Sequence, residues 1–303
     1  MTTITEKQNQ PSMIKLLRAR KGVYKRLKCY QGFYLTLTLA LPVASYVFSQ
    51  STDRIRAVIA LTAIVIGLLD ALLFDRWQKQ ELKIAAKLQE EFDCELLGMP
   101  WNSFVVGPKV SPEDTNAYAR VKLSKKGIGA LNNWYPESAD PLPLPLATLV
   151  CQRASLWYDG KLRKAFLVGL TFVGTVVVVG ALFASTAANV SLTSLVLAAV
   201  PAVPFLTWAA HECARQKSTI DTINRLRDEI ESLWDRLSSS GEHENVTLRA
   251  RELQDAIFNH RASSPLIFDW IYRLLRRRFE EDMRVGADCW IADLSSVKKG
   301  INS

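Results

Sequence analysis

The chain has 303 residues, a net charge of +8 and five cysteines. The cysteines are odd in number, far apart and without a CxxC pair, which sets aside a disulfide framework and a zinc module. The positive charge is spread along the chain rather than gathered in one stripe, so a DNA or RNA polymer is not the expected partner.

In chain order, Met1–Ser12 is polar and expected to be disordered. Met13–Cys29 reads as a basic amphipathic helix. Ile14, Leu17, Val23 and Leu27 share one side, which predicts a helix on the membrane surface or against a bundle. Four apolar stretches then come as two tight pairs: Phe33–Phe48 with Ala57–Phe74, and Ala165–Ala184 with Val190–Ala210. A helix needs roughly 17–25 apolar residues to cross the hydrocarbon core. The expected fold is therefore a mainly α membrane protein with four transmembrane helices in two hairpins. Phe33–Phe48 is the shortest span and contains Pro42, so a tilted or re-entrant segment is the alternative there. A basic N-terminus followed by a span and a returning span predicts no cleavable signal.

Orientation follows from Lys and Arg. Lys15, Arg18, Arg20, Lys21, Lys25, Arg26 and Lys28 precede the first span, and Arg76, Lys79, Lys83 and Lys87 follow the second. Lys161, Arg163 and Lys164 precede the third, whereas the Ser185–Asn189 turn has neither residue type. Positive residues stay inside. Both termini and the central segment are thus expected in the cytoplasm, with a multi-pass membrane anchor. The expected organisation is a basic N-terminal segment (1–30), hairpin one (31–74), a central domain (75–164), hairpin two (165–210) and a C-terminal helical region (211–303).

Span two runs without a break into Asp75–Leu97, which Gly98 and Pro100 should end. Met99–Leu146 is dense in Pro and Gly and cannot be one long helix. Ala147–Lys164 resumes helical spacing and enters span three. After span four, Ile220, Ile223, Leu226, Ile230, Leu233 and Leu237 form a short coiled-coil seam within His211–Leu237, suited to subunit contact. Helices over about Val246–Arg261 and Pro265–Val285 close the chain.

No catalytic motif is visible: there is no GxSxG, Walker loop, HExxH or HD pair, and Gly127-Ile128-Gly129 is too short for a phosphate loop. An enzyme, a cofactor and a metal are not expected. Asp70, the one acid well inside a span, reads as an interfacial residue reaching the headgroups, or as a functional group. Gly169, Gly174 and Gly180 fit close helix packing. Arg273, Arg276, Arg277 and Arg278 fit headgroup contact or a solvated face. In the central segment, Trp101, Arg120, Trp134, Arg153 and Trp157 combine aromatic faces with cations. That is the composition of a nucleotide pocket, and equally of a small core with a polar rim. Arg153 leads the ligand candidates, because its helix runs directly into span three. A structural pair with Asp93, Glu95 or Asp159 is its alternative role.

Several local strings carry a resemblance. They are Glu91-Phe92-Asp93-Cys94-Glu95-Leu96 through Met99-Pro100-Trp101-Asn102, Asn133-Trp134-Tyr135-Pro136, and Cys151-Gln152-Arg153 to Trp157-Tyr158-Asp159. Gln254-Asp255-Ala256-Ile257-Phe258 and Ile267-Phe268-Asp269-Trp270-Ile271-Tyr272 complete the set. With the two-pair layout, the chain resembles the SMODS-associated four-transmembrane effectors of bacterial anti-phage signalling. The resemblance implies a homo-oligomeric, pore-forming effector anchored in the bacterial inner membrane. It implies activation by a cyclic di- or oligonucleotide from a cognate nucleotidyltransferase, ending in permeabilisation of the inner membrane and abortive infection. It assigns no ligand-contacting residues. The rival readings are a constitutive channel or transporter and a coiled-coil membrane scaffold.

Overall fold

A computed structural model describes residues 3–48, 52–187, 202–240 and 245–301. Among them there is no strand. The helices are α1 (Ile4–Gln8), α2 (Pro11–Val47), α3 (Asp53–Leu69), α4 (Asp75–Leu97), α5 (Ser103–Val106), α6 (Pro112–Ala119) and α7 (Lys125–Gly129). They continue with α8 (Leu144–Ala187), α9 (Val203–Ser240), α10 (Val246–Ser263) and α11 (Asp269–Ile301). A π turn, Asp70–Phe74, joins α3 to α4, and Glu137–Ala139 is a short 3₁₀ turn.

The chain divides into two compact units. Unit 1 holds Met1–Lys25, Glu81–Lys164 and Ser218–Ser303; unit 2 holds Arg26–Gln80 and Ala165–Lys217. Four helices, α2, α4, α8 and α9, each give one end to unit 1 and the other to unit 2.

Unit 1 has a core built by all three of its segments. Leu17, Ala19 and Val23 of α2, Leu82, Leu88 and Phe92 of α4, Leu149 and Cys151 of α8, Ile223 and Ile230 of α9, and Ile257 and Phe258 of α10 are fully or almost fully buried. Met13–Cys29 is therefore no surface helix lying on a membrane. It is part of α2, and its apolar side through Val23 fills this core. Two close approaches decide the packing. A Cβ on Gly22 would lie 2.1 Å from the Tyr118 carbonyl oxygen, so only glycine lets that turn approach α2. Gly98 stops α4 at φ +65, a conformation glycine adopts without a Cβ penalty.

From Thr3 onward the polar start of the chain is ordered, contrary to the expectation of disorder. Thr3 and Glu6 form a reciprocal capping box on α1. Gln8 is buried, accepts from the Tyr135 backbone N–H at 2.8 Å and donates to its carbonyl at 3.3 Å. Polar composition hid these long-range partners.

The expected coiled-coil seam is likewise spent inside the chain. Ile220, Ile223, Ile230 and Leu233 are buried within unit 1, and Ile223 Cγ2 would lie 3.1 Å from a Cβ on Gly160. Leu226 and Leu237 of the same seam remain half-buried. The last helix begins at Asp269 rather than Pro265 and runs on past Val285 to Ile301.

Unit 2 reverses the usual exposure pattern. Phe33, Val43, Leu61, Leu72, Val168, Phe172 and Phe183 are each more than half exposed. Apolar faces of this extent mark contact with lipid or protein rather than water. Two helical stretches, Ala57–Leu97 and Leu144–Gly180, are long and apolar enough to cross a membrane by length and composition. Phe33–Val47 is helical within α2, but among the described residues it is not one of the stretches that meet that test. Of the fourth expected span, residues 190–201, Pro201 included, lie outside the described residues, as does part of each connecting turn; Val203 onward is helical. Among the described residues nothing comes within 4 Å of a Cβ placed on Gly169, Gly174 or Gly180.

Candidate functional site

A polar network occupies the middle of unit 1. Asp93 on α4 is fully buried and accepts four hydrogen bonds. Its Oδ1 receives Gln89 Nε2 and the Tyr135 hydroxyl, each at 2.8 Å; its Oδ2 receives Gln254 Nε2 at 3.0 Å and Arg261 Nη1. Those four bonds fill the acceptor capacity of a carboxylate. One turn earlier, Glu90 accepts from Arg251 Nη2 at 2.6 Å and from Gln254 Nε2 at 2.7 Å. Gln254 Oε1 in turn accepts from Gln152 Nε2 at 3.0 Å. Asn102 donates to Asp255 at 2.8 Å, and Asp255 accepts from Arg251 at 2.5 Å.

Burial, reinforced by neighbouring Asp93, raises the Glu90 carboxyl above the usual carboxylate range; Arg251 and Gln254 oppose that rise. Burial works against charge on Arg251 and Arg261, yet Glu90 and Asp93 respectively hold both guanidiniums above their ordinary value. The Cys94 thiol is pushed up to about 12 by burial and by Glu90, so it is inert at neutral pH. This network joins α4, α8 and α10 and is a structural centre.

A second cluster lies between α8, α9 and α11. Arg153 Nε donates to Glu231 Oε1 at 2.9 Å, and Arg227 Nη2 donates to the same oxygen at 3.2 Å. The Arg153 guanidinium also lies 4.8 Å over the Trp290 ring. Trp290 stacks on Trp234 with centroids 3.9 Å apart and planes 14° apart. A cavity of about 80 Å³ opens here, lined by Arg153 and Trp157 of α8 and by Asp282, Gly286 and Trp290 of α11.

Of the five residues expected to hold a ligand, Arg153 and Trp157 therefore share one cavity. The other three lie elsewhere. Trp101 packs on a core cluster of Ala86, Val106 and Phe258, and its Nε1 donates to the Gly107 carbonyl at 2.9 Å. Trp134 lies under the Arg20 guanidinium at 4.3 Å. Arg120 is exposed at the C-terminal end of α6. The acid facing Arg153 is Glu231, not Asp93, Glu95 or Asp159. Asp93 is taken by Arg261, and Asp159 by Arg163 and His260. Sequence reasoning missed Glu231, Trp234 and Trp290. The first two fall within His211–Leu237 but outside its apolar repeat, and Trp290 lies beyond the point where the last helix was expected to end.

Unit 2 contains a larger cavity, about 650 Å³, lined by Tyr34, Asp70, Asp75, Trp208, His211 and Arg215 together with apolar residues such as Ile64, Leu68 and Val203. Tyr34 hydrogen-bonds Asp70, and Arg215 acts on the same carboxylate through space. Asp70 opens the π turn, a deviation that recurs at functional sites. Its carboxylate has a protein partner as well as the cavity. Among the described residues no group of three or more His, Cys, Asp and Glu could hold a metal, the His211-Glu212-Cys213 cluster included.

A family model for the SMODS-associating 4TM effector domain matches residues 2–289. The chain belongs to the SMODS-associating 4TM effector family. A protein of Bacillus cereus strain VD146 described as a probable CBASS effector molecule is 27% identical over 286 residues, which cover 92% of this chain and 95% of that protein. No solved structure matches. Within this SMODS-associating effector, strings from four separate regions meet in the unit 1 network: Asp93 and Asn102, Tyr135, Gln152, and Gln254 with Asp255. They frame a buried scaffold rather than an exposed reactive site.

Proposed function

We propose that the protein is a membrane effector of a cyclic-oligonucleotide anti-phage system. Unit 1 binds a cyclic di- or oligonucleotide made by a cognate nucleotidyltransferase, and unit 2, as a homo-oligomer, permeabilises the bacterial inner membrane. Family membership supports the effector role. The observation that carries the coupling is the sharing of α2, α4, α8 and α9 between the two units. On α8, Arg153 and Trp157 lie only two to three turns before the apolar stretch that begins at Ala165. A phosphate held by Arg153 would therefore act on a helix continuous with a membrane segment. For the ligand to drive opening it must bind the open or assembled state more tightly, and a near-complete switch asks for about 5.5 kcal/mol of differential affinity.

The coiled-coil scaffold reading is weakened, because Ile220, Ile223, Ile230 and Leu233 of the seam are buried in the chain's own core. A constitutive channel keeps one favourable observation, the polar cavity around Asp70. Dye release from liposomes carrying the full chain separates the two. The effector reading expects release only when one member of a panel of cyclic di- and trinucleotides is added, and loss of that response in Arg153→Ala with insertion intact. Release without nucleotide favours the channel. Arg153→Ala with unchanged nucleotide affinity removes Arg153 from the contact.

A further inference from the structure

The cavity that Arg153 and Trp157 share is about 80 Å³, well below the roughly 300–1,000 Å³ of ordinary small-molecule sites. A cyclic nucleotide cannot enter it as it stands. What fills the space is an aromatic side chain already held as a base would be held. The Trp290 indole stacks on Trp234 and also carries a guanidinium over its ring. Stacking on an aromatic face with cations at hand for the phosphates is how proteins hold single-stranded nucleotides. Resting on the reading of unit 1 as the nucleotide sensor, we propose that Trp290 occupies the seat of a ligand base, and that a cyclic nucleotide binds by displacing α11 from Trp234 and Arg153.

The arrangement has the three parts that such an exchange needs. First, Trp234 is buried on α9, so it stays behind as a stacking platform when α11 leaves. Second, Arg153 and Arg227 converge on one carboxylate oxygen of Glu231, which gathers two guanidiniums at one point. An incoming phosphate offers each of them a stronger, bidentate partner. Third, the wall that must move is lightly buried. From Asp282 to Asp293, Met283 and Ala287 are the only buried residues of α11, and its ring contacts through Phe279 and Tyr272 with Trp157 and Tyr158 lie before that stretch. Few buried apolar contacts make local release cheap relative to the rest of the unit. Asp282, which also lines the cavity, departs with α11 and removes a negative charge from the phosphate seat.

An internal occupant of this kind lowers apparent affinity by the fraction of time the seat is empty. Weakening the occupant therefore tightens binding, which a merely structural tryptophan would not do. The test uses the full chain in lipid nanodiscs with radiolabelled cyclic di-AMP, cyclic di-GMP, cyclic AMP–GMP and cyclic tri-AMP. Trp290→Ala is expected to bind the activating nucleotide about tenfold or more tightly than the wild type and to release dye at correspondingly lower concentrations. Glu231→Gln, nearly isosteric, frees the guanidiniums without emptying the core and should also tighten binding. In the wild type, backbone amides of Asp282–Trp290 should exchange hydrogen faster once nucleotide is added. If the wild type binds a nucleotide while both variants bind it no more tightly, or if Asp282–Trp290 becomes better protected, the displacement is wrong and Trp290 is a fixed wall. If neither wild type nor variants bind any of the four, the nucleotide-sensor reading falls and takes this inference with it.

Discussion

Arg251 Nη2 meets Glu90 Oε1 at 2.6 Å, although Glu90 is fully buried on α4 and Arg251 comes from α10, 161 residues further along the chain. The pair closes unit 1 by tying the helix that leads out of span two to one near the C-terminus. Removing one partner leaves an uncompensated buried charge, which costs about 3–5 kcal/mol. Arg251→Met should therefore lower the thermal midpoint of the full chain by about 10 °C. The double variant Glu90→Gln/Arg251→Met should recover much of that loss. A single variant that melts with the wild type would show that the pair contributes nothing to stability.

His260 supplies a pH test. Burial, helped by Arg163 and Arg261, outweighs the pull of Asp159, which faces Nε2 at 3.2 Å, and lowers the imidazole below its ordinary value. The unfolded chain thus takes up the proton first, near pH ~6.5. Stability is present above that pH and is lost as pH falls through it, by up to about 1.4 kcal/mol per pH unit. Asp159 is held below the usual carboxylate range by Arg163 and His260 in spite of its burial, so its own contribution is lost only in stronger acid. Thermal midpoints at pH 7.5 and 5.5 should differ more in the wild type than in His260→Gln. Equal differences would assign the pH dependence to other groups.

Topology is open to labelling. Cys94 and Cys151 are buried, whereas Cys289 is exposed on α11. In a Cys29→Ser background, a membrane-impermeant maleimide should label Cys289 only after the cells are permeabilised. Labelling in intact cells would place unit 1 outside and end the case for a cytoplasmic sensor.

The cavity of unit 2 makes a prediction about conductance. If ions pass along the face that carries Asp70, Asp75 and Trp208, the Asp70 carboxylate favours cations. Asp70→Asn should move the reversal potential of nucleotide-triggered currents toward zero in a KCl gradient. The nucleotide concentration for half-maximal release should stay within about twofold, since the cavity lies in unit 2 and the nucleotide candidates in unit 1. An unchanged reversal potential would take Asp70 out of the ion path.

Local rules made part of this molecule legible in advance. The helical periods of Asp75–Leu97 and Ala147–Lys164, the stop at Gly98 and the breakers of Met99–Leu146 all appear at or near their expected places. Each depends on a few neighbouring residues. The readings that failed concern partners instead. Polarity marked Met1–Ser12 as disordered, but Gln8 finds Tyr135 more than a hundred positions away. The Ile220–Leu237 pattern marked an apolar seam, four of whose six residues are buried, yet periodicity cannot say whether a second chain or α8 covers it. Composition likewise grouped five ligand candidates, of which only Arg153 and Trp157 share a cavity.

The sequence by itself determined a helical chain with paired apolar stretches, positive charge gathered at one end of each, and membership of an effector family, because hydropathy, charge placement and short strings are properties of order along the chain. Only the tertiary structure decided that Glu231 rather than Asp93 faces Arg153, and that Trp290 lies against Trp234. Those choices come from which helix faces meet, where burying one charge forces another within reach. Such pairings join residues dozens to hundreds of positions apart, and no local pattern encodes them.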